Sequence, residues 1–137
     1  MQALYPMTDT EPMGTDLSSA TETILLVDDE EPVRDLVRKI LERRGYRVLA
    51  ASDGPAALRV SHDFQGEIHL QLTDILMPRM NGQEVARCLT AARPLMKVLY
   101  MSGYPETMAS PGRYFLRKPF LAQTLALKIR EVLDAQR

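Results

Sequence analysis

A run of four apolar residues, Ile24-Leu25-Leu26-Val27, stops on the acidic pair Asp28-Asp29, and a second short run, Leu70-Gln71-Leu72-Thr73, stops on Asp74. Successive side chains of a strand point to opposite faces, so an unbroken apolar run implies a strand covered on both sides. If the two strands are neighbours in one parallel sheet, three carboxylates meet at its carboxyl edge. Like charges at short range raise one another's pKa, and such a cluster is costly without compensation. The simplest relief is a hard divalent cation with oxygen ligands, for which Mg²⁺ is the usual choice. One carboxylate is then left to react.

The rest of the chain alternates strand and helix. Pro32 suits the first turn of a helix. Val33, Leu36, Val37, Ile40 and Leu41 follow at helical spacing, and Gly45 stops it. Tyr46–Ala51 reads as a second strand, about 55–62 as a short helix, and His69–Thr73 as the third strand. After Pro78 and Asn81-Gly82, a helix is expected from about Gln83 to Ala92. Lys97–Met101 and Tyr114–Leu116 read as two more strands, and 121–135 as a last helix with Leu121, Leu125, Ile129, Val132 and Leu133 toward the core. Alternation of this kind implies a doubly wound parallel sheet with its site beyond the carboxyl ends of the strands. Asp28, Asp29, Asp74 and Ser102 each follow a predicted strand, and Lys118 follows the fifth shortly after.

Taken singly these residues have plain explanations, such as a helix cap or exposed surface. The ordered set points to phosphoryl transfer. Two acids on one loop hold a divalent metal, and a third shares it and attacks phosphorus. The Ser102 hydroxyl can donate to one phosphoryl oxygen, and the Lys118 ammonium can pair with another.

The segments Ile24-Leu25-Leu26-Val27-Asp28-Asp29-Glu30, Leu72-Thr73-Asp74-Ile75-Leu76-Met77-Pro78 with Met80-Asn81-Gly82, Met101-Ser102-Gly103-Tyr104, and Phe115-Leu116-Arg117-Lys118-Pro119-Phe120 together resemble the receiver domain of two-component response regulators. The style of the motifs is most similar to receivers fused to hybrid sensor histidine kinases. The resemblance covers about residues 22–135, with 1–21 expected as a flexible leader or linker. It implies a flavodoxin-like, five-stranded sheet of order 2-1-3-4-5. It implies that Asp74 accepts phosphate from a histidine kinase or a histidine phosphotransfer domain. Asp28 and Asp29 then correspond to the metal pair, with the Leu76 backbone carbonyl as a further Mg²⁺ ligand. Ser102 and Phe115 correspond to the switch pair and Lys118 to the phosphate-pairing lysine, whose bond to Pro119 is typically cis. Leu76 and Tyr104 flank the path of attacking water, and their bulk implies slow self-hydrolysis.

The chain departs from the family in two places. Only twelve residues separate Ser102 from Phe115, and Pro105, Pro111 and Gly112 interrupt them. A shortened or irregular fourth helix is expected there, with partners docking elsewhere. His69 and Gln71 stand where such strands tend to carry an acid and an aliphatic residue. Gln71, if buried, needs a hydrogen-bond partner, and His69 is expected near the surface.

The remaining features limit other functions. With 137 residues and a formal net charge of −1, a single domain without a nucleic-acid footprint is expected. Neither a signal peptide nor an apolar run of membrane-spanning length is present, so a cytoplasmic protein without membrane contact is expected. Cys88 is the only cysteine and reads as a small buried hydrophobe. The cluster Arg34, Arg38, Lys39, Arg43 and Arg44 reads as a solvated helix face. Two alternatives stand beside the signalling module, which is not itself an enzyme in the ordinary sense. An aspartyl-phosphate phosphatase usually spaces its two acids two apart, whereas here they are adjacent. A degenerate receiver that only binds proteins is opposed by the presence of all five site residues.

Overall fold

The computed structural model describes residues 21–103 and 113–135. The leader expected over 1–21 lies, but for residue 21, outside the described residues. So do the expected irregular fourth helix, apart from Gly103 and residues 113–114, and Tyr104.

The described elements run β1 (Thr23–Val27), α1 (Glu31–Arg43), β2 (Arg47–Ala51), α2 (Gly54–Asp63), β3 (Leu70–Asp74), α3 (Gly82–Ala92), β4 (Lys97–Ser102), β5 (Tyr114–Arg117) and α4 (Ala122–Asp134). All strand pairs are parallel, in the order β2-β1-β3-β4-β5. This is the predicted topology. The register places Val27 beside Thr73, Asp74 beside Met101 and Ser102 beside Arg117. The residues after β1 and β3 therefore emerge next to each other, at the point where the chain switches from one side of β1 to the other.

The continuous apolar runs are explained by two cores. Ile24, Leu26, Leu70, Leu72, Leu99 and Met101 pack on one face with α1 and α4, and Leu25, Val27, Ile68, Val85 and Leu89 pack on the other with α2 and α3. Gly45 ends α1 as expected. Its φ of 96° lies in the left-handed region, and its amide donates to the Glu42 carbonyl at 3.0 Å. Helix α3 opens on a capping box in which Asn81 and Glu84 each accept the other's backbone amide.

Several expectations need correction. Cys88 is exposed. Gly82, Val85, Ala86 and Leu89 form the inward stripe of α3, and Cys88 falls about a third of a turn away from it. Leu121 precedes α4 and is 45% exposed, so the inward stripe starts at Ala122 and Leu125. Tyr46 and His69 lie just outside their strands, while Asp74 and Ser102 are the last residues of theirs. The basic cluster on α1 is not simply solvated: Arg34 Nη1 donates to the Asp28 carbonyl at 2.7 Å, and Arg38 sits between Asp35 and Glu42.

Gln71 is fully buried, and its Nε2 donates to the Gly82 carbonyl at 3.4 Å while its Oε1 has no partner. The expectation that a buried Gln71 needs partners is met on one side only. His69 is part-exposed at the amino end of the sheet, where its Nδ1 accepts the Thr23 amide at 3.0 Å. Among the described residues no helix is long and apolar enough to cross a membrane.

Candidate functional site

The backbone brings Asp28, Asp29, Asp74, Ser102 and Lys118 to one edge of the sheet. Asp28 follows β1 directly and is fully buried, Asp74 ends β3 at 7% exposure, and Asp29 faces solvent. One carboxylate oxygen from each of the three acids lies within 4.8 Å of the others. Lys118 Nζ bridges the two buried ones, 2.9 Å from Asp74 Oδ1 and 3.0 Å from Asp28 Oδ2, with Glu30 Oε1 at 3.7 Å. Lys118 reaches them from the loop after β5, where its backbone amide donates to the Ser102 carbonyl at 2.8 Å and its bond to Pro119 is cis.

The electrostatics follow from burial. Desolvation, reinforced by the neighbouring Asp28 carboxylate, pushes Asp74 up to about 8 despite Lys118. Burial works against the Lys118 ammonium, but the Asp74 and Asp28 carboxylates outweigh it and hold its pKa above the ordinary lysine value. An ionised Asp74 therefore needs further positive charge beside it.

A cavity of about 340 Å³ opens over this cluster, lined by Asp29, Glu30, Asp74, Leu76, Ser102, Gly103 and Lys118. Its floor is set by close packing. A Cβ at Gly82 would sit 2.0 Å from the Asp74 carbonyl oxygen, so the start of α3 presses directly on the backbone of Asp74. The Gly82 amide donates to the Ile75 carbonyl at 2.7 Å, and Thr73 Oγ1 donates to the Asp74 carbonyl at 2.9 Å.

Of the predicted site residues, Leu76 is 47% exposed at the cavity's edge. Phe115 pairs with Tyr100 across β4 and β5 and packs, half-buried, on the cluster of Ile75, Ala86 and Tyr100, away from the cavity lining. His69 is not in the cluster; it sits at the opposite end of β3. Three residues enter the site that were not expected in it: Glu30 beside Lys118, Gly82 beneath Asp74, and Arg34, expected on a solvated helix face, on the Asp28 carbonyl. Glu30 and Gly82 stood inside the quoted motifs. Arg34 lies one helical turn after Glu30, a spacing that aims its side chain back at the β1–α1 loop.

The sequence model of the response regulator receiver domain matches residues 24–130. The chain belongs to the response regulator receiver family. It is 36% identical over 129 residues to "Sensor kinase CckA" of Brucella abortus, covering 90% of this chain but only 14% of that protein. It is also 34% identical over 119 residues to "Response regulator receiver protein CpdR" of the same organism, covering 82% of this chain and 97% of that one. Among solved structures, the receiver domain of the hybrid histidine kinase CckA superposes with a TM-score of 0.73 at 34% identity, covering 82% of this chain and 99% of that one. The response regulator protein TrrA from Thermotoga maritima, solved in complex with Mg²⁺-BeF, superposes at 0.67 with 28% identity and covers 80% and 97%. The receiver thus matches both a short segment of a sensor kinase and a nearly whole response regulator.

As a receiver of two-component signalling it carries the acidic cluster at which this family binds Mg²⁺. The donor set fits that ion: all three side chains offer hard oxygen ligands, and the burial and Asp28 repulsion that disfavour an ionised Asp74 are what a cation would offset.

Proposed function

We propose that this receiver accepts a phosphoryl group on Asp74 from a histidine kinase or a histidine phosphotransfer domain. The observation that carries this reading is the Lys118 bridge between Asp28 and Asp74, within reach of Asp29 and under an open cavity. An Asp74 Oδ attacks phosphorus as the P–N bond to the donor imidazole breaks, and the electron pair leaves with the imidazole nitrogen. The product is an acyl phosphate. Asp28, Asp29, Asp74 and the Leu76 backbone carbonyl would hold Mg²⁺, which would supply positive charge to neutralise the transferring oxygens. Lys118 pairs with one phosphoryl oxygen once Asp74 is phosphorylated, and Asp28 keeps the ammonium in place meanwhile. The Ser102 hydroxyl, at the end of β4, donates to another oxygen. Movement toward the phosphate at Ser102 frees room beside β5, and Phe115 turns to read it.

The domain spans 22–135, with 1–21 as leader or linker, and works in the cytoplasm either alone or as the receiver of a hybrid kinase. Leu76 and Tyr104 restrict attacking water and prolong the phosphorylated state. Incubation with acetyl phosphate and Mg²⁺, followed by mass spectrometry, tests the assignment. A single phosphorylation is expected in the wild type and none in Asp74→Asn. Modification elsewhere, or none, refutes the phosphoacceptor role and favours a degenerate receiver; turnover of free substrate favours a phosphatase.

A further inference from the structure

We infer that Arg34 is a positioning residue for the metal-binding loop, an inference that rests on the Mg²⁺ site proposed above. Asp28 has every polar atom engaged. Its amide donates to the Ala51 carbonyl at 3.2 Å, Oδ1 accepts the Glu30 amide at 2.9 Å, and Oδ2 accepts Lys118 at 3.0 Å. The fourth contact is the shortest: the Arg34 guanidinium donates from Nη1 to the Asp28 carbonyl at 2.7 Å. That carbonyl belongs to the peptide linking Asp28 to Asp29, so its orientation sets the direction in which the chain delivers the Asp29 carboxylate.

Asp29 is the exposed member of the cluster. A pinned peptide plane accounts for an exposed carboxylate lying within 4.8 Å of two buried ones. Arg34 is itself well placed to do this. Its backbone amide donates to the Glu30 carbonyl at 2.9 Å in the first turn of α1, and its side chain is half-buried against the loop. Glu30, the N-cap of α1, makes no side-chain cap, so the helix relies on other contacts to fix how the chain enters it.

Two effects of Arg34 on Mg²⁺ oppose each other. Positioning the ligands raises affinity, because groups that orient metal ligands through hydrogen bonds commonly contribute about tenfold or more. A positive charge near the acids lowers affinity by competing with the cation. A guanidinium hydrogen-bonded to a ligand's own peptide acts mainly through the first effect. Removing the side chain's donor and charge together therefore weakens Mg²⁺ binding, the opposite of what loss of a mere counter-charge produces.

Arg34→Met keeps the aliphatic stem and removes both charge and donor. Mg²⁺ titrations followed by amide NMR shifts compare it with the wild type, and about tenfold weaker binding is expected. Equal or tighter binding in Arg34→Met overturns the positioning role. If the wild type itself shows no saturable Mg²⁺ binding, the proposed metal site fails and this inference falls with it. If Arg34→Met does not fold, the decision passes to the wild-type protein, whose Arg34 guanidinium protons should exchange slowly with solvent. Exchange as fast as in free arginine overturns the inference.

Discussion

Asp74→Asn should stabilise the metal-free receiver near neutral pH. The native carboxyl is pushed from 3.8 to about 8, chiefly by burial and then by Asp28. In the unfolded chain it ionises at ordinary carboxylate pH. An acid whose pKa rises on folding binds more protons in the native state, so its effect on stability is absent below the unfolded pKa, grows as pH rises, and levels off above the folded pKa. Near pH 7 roughly three pH units separate the unfolded ionisation from the solution, which at about 1.4 kcal/mol per unit gives an upper bound of about 4 kcal/mol. That value already includes the pull of Lys118; solvent entering the open cavity relieves part of the rest, so a gain of about 2 kcal/mol is expected. Asparagine keeps the size and polarity of the protonated acid, and Lys118 retains Asp28 and Glu30 as partners. Urea unfolding monitored by circular dichroism, with a chelator present, measures the difference. It should vanish near pH 4 and shrink on addition of Mg²⁺, which stabilises the wild type more. A variant no more stable than the wild type near pH 7 would refute the reasoning.

Gly82→Ala should cost about 3 kcal/mol, because its Cβ meets the Asp74 carbonyl oxygen at 2.0 Å and the backbones must part; urea unfolding checks it, and a loss under about 1 kcal/mol would mean that α3 slides freely on β3. In a phosphorylated sample, Leu76→Asn should speed loss of the acyl phosphate about fivefold, roughly 1 kcal/mol off the barrier, by opening the cavity's edge to water. Decay of the phosphorylated mass after removal of the donor reads it directly, and an unchanged half-life would remove Leu76 from the path of water.

Much of the fold was legible in the chain because short-range rules govern it. The apolar run Ile24–Val27 demanded a strand covered on both faces, and the two cores supply the cover. Gly45 marked a left-handed stop, and φ there is 96°. Errors arose where periodicity had to assign a single residue to a face. Cys88 sits beside the inward residue Leu89 in sequence but on the outer face of α3. Leu121 looked like the first core residue of α4, yet it stands before the helix begins. Reading Arg34 as part of a basic surface failed for a different reason: its partner is a backbone carbonyl, which no side-chain pattern announces.

By itself the sequence determined which chemical groups end the strands and therefore which chemistry the edge can support. Asp28, Asp29, Asp74, Ser102 and Lys118 are spread over about ninety positions, and only strand order and parallel register make them neighbours. Tertiary structure decided how unequal the acids are. Asp28 is buried with all its polar atoms occupied, Asp29 is left in solvent, and Asp74 is buried against the start of α3 and raised to about 8. Desolvation and charge proximity depend on distances across the chain, so three identical side chains acquired three different environments.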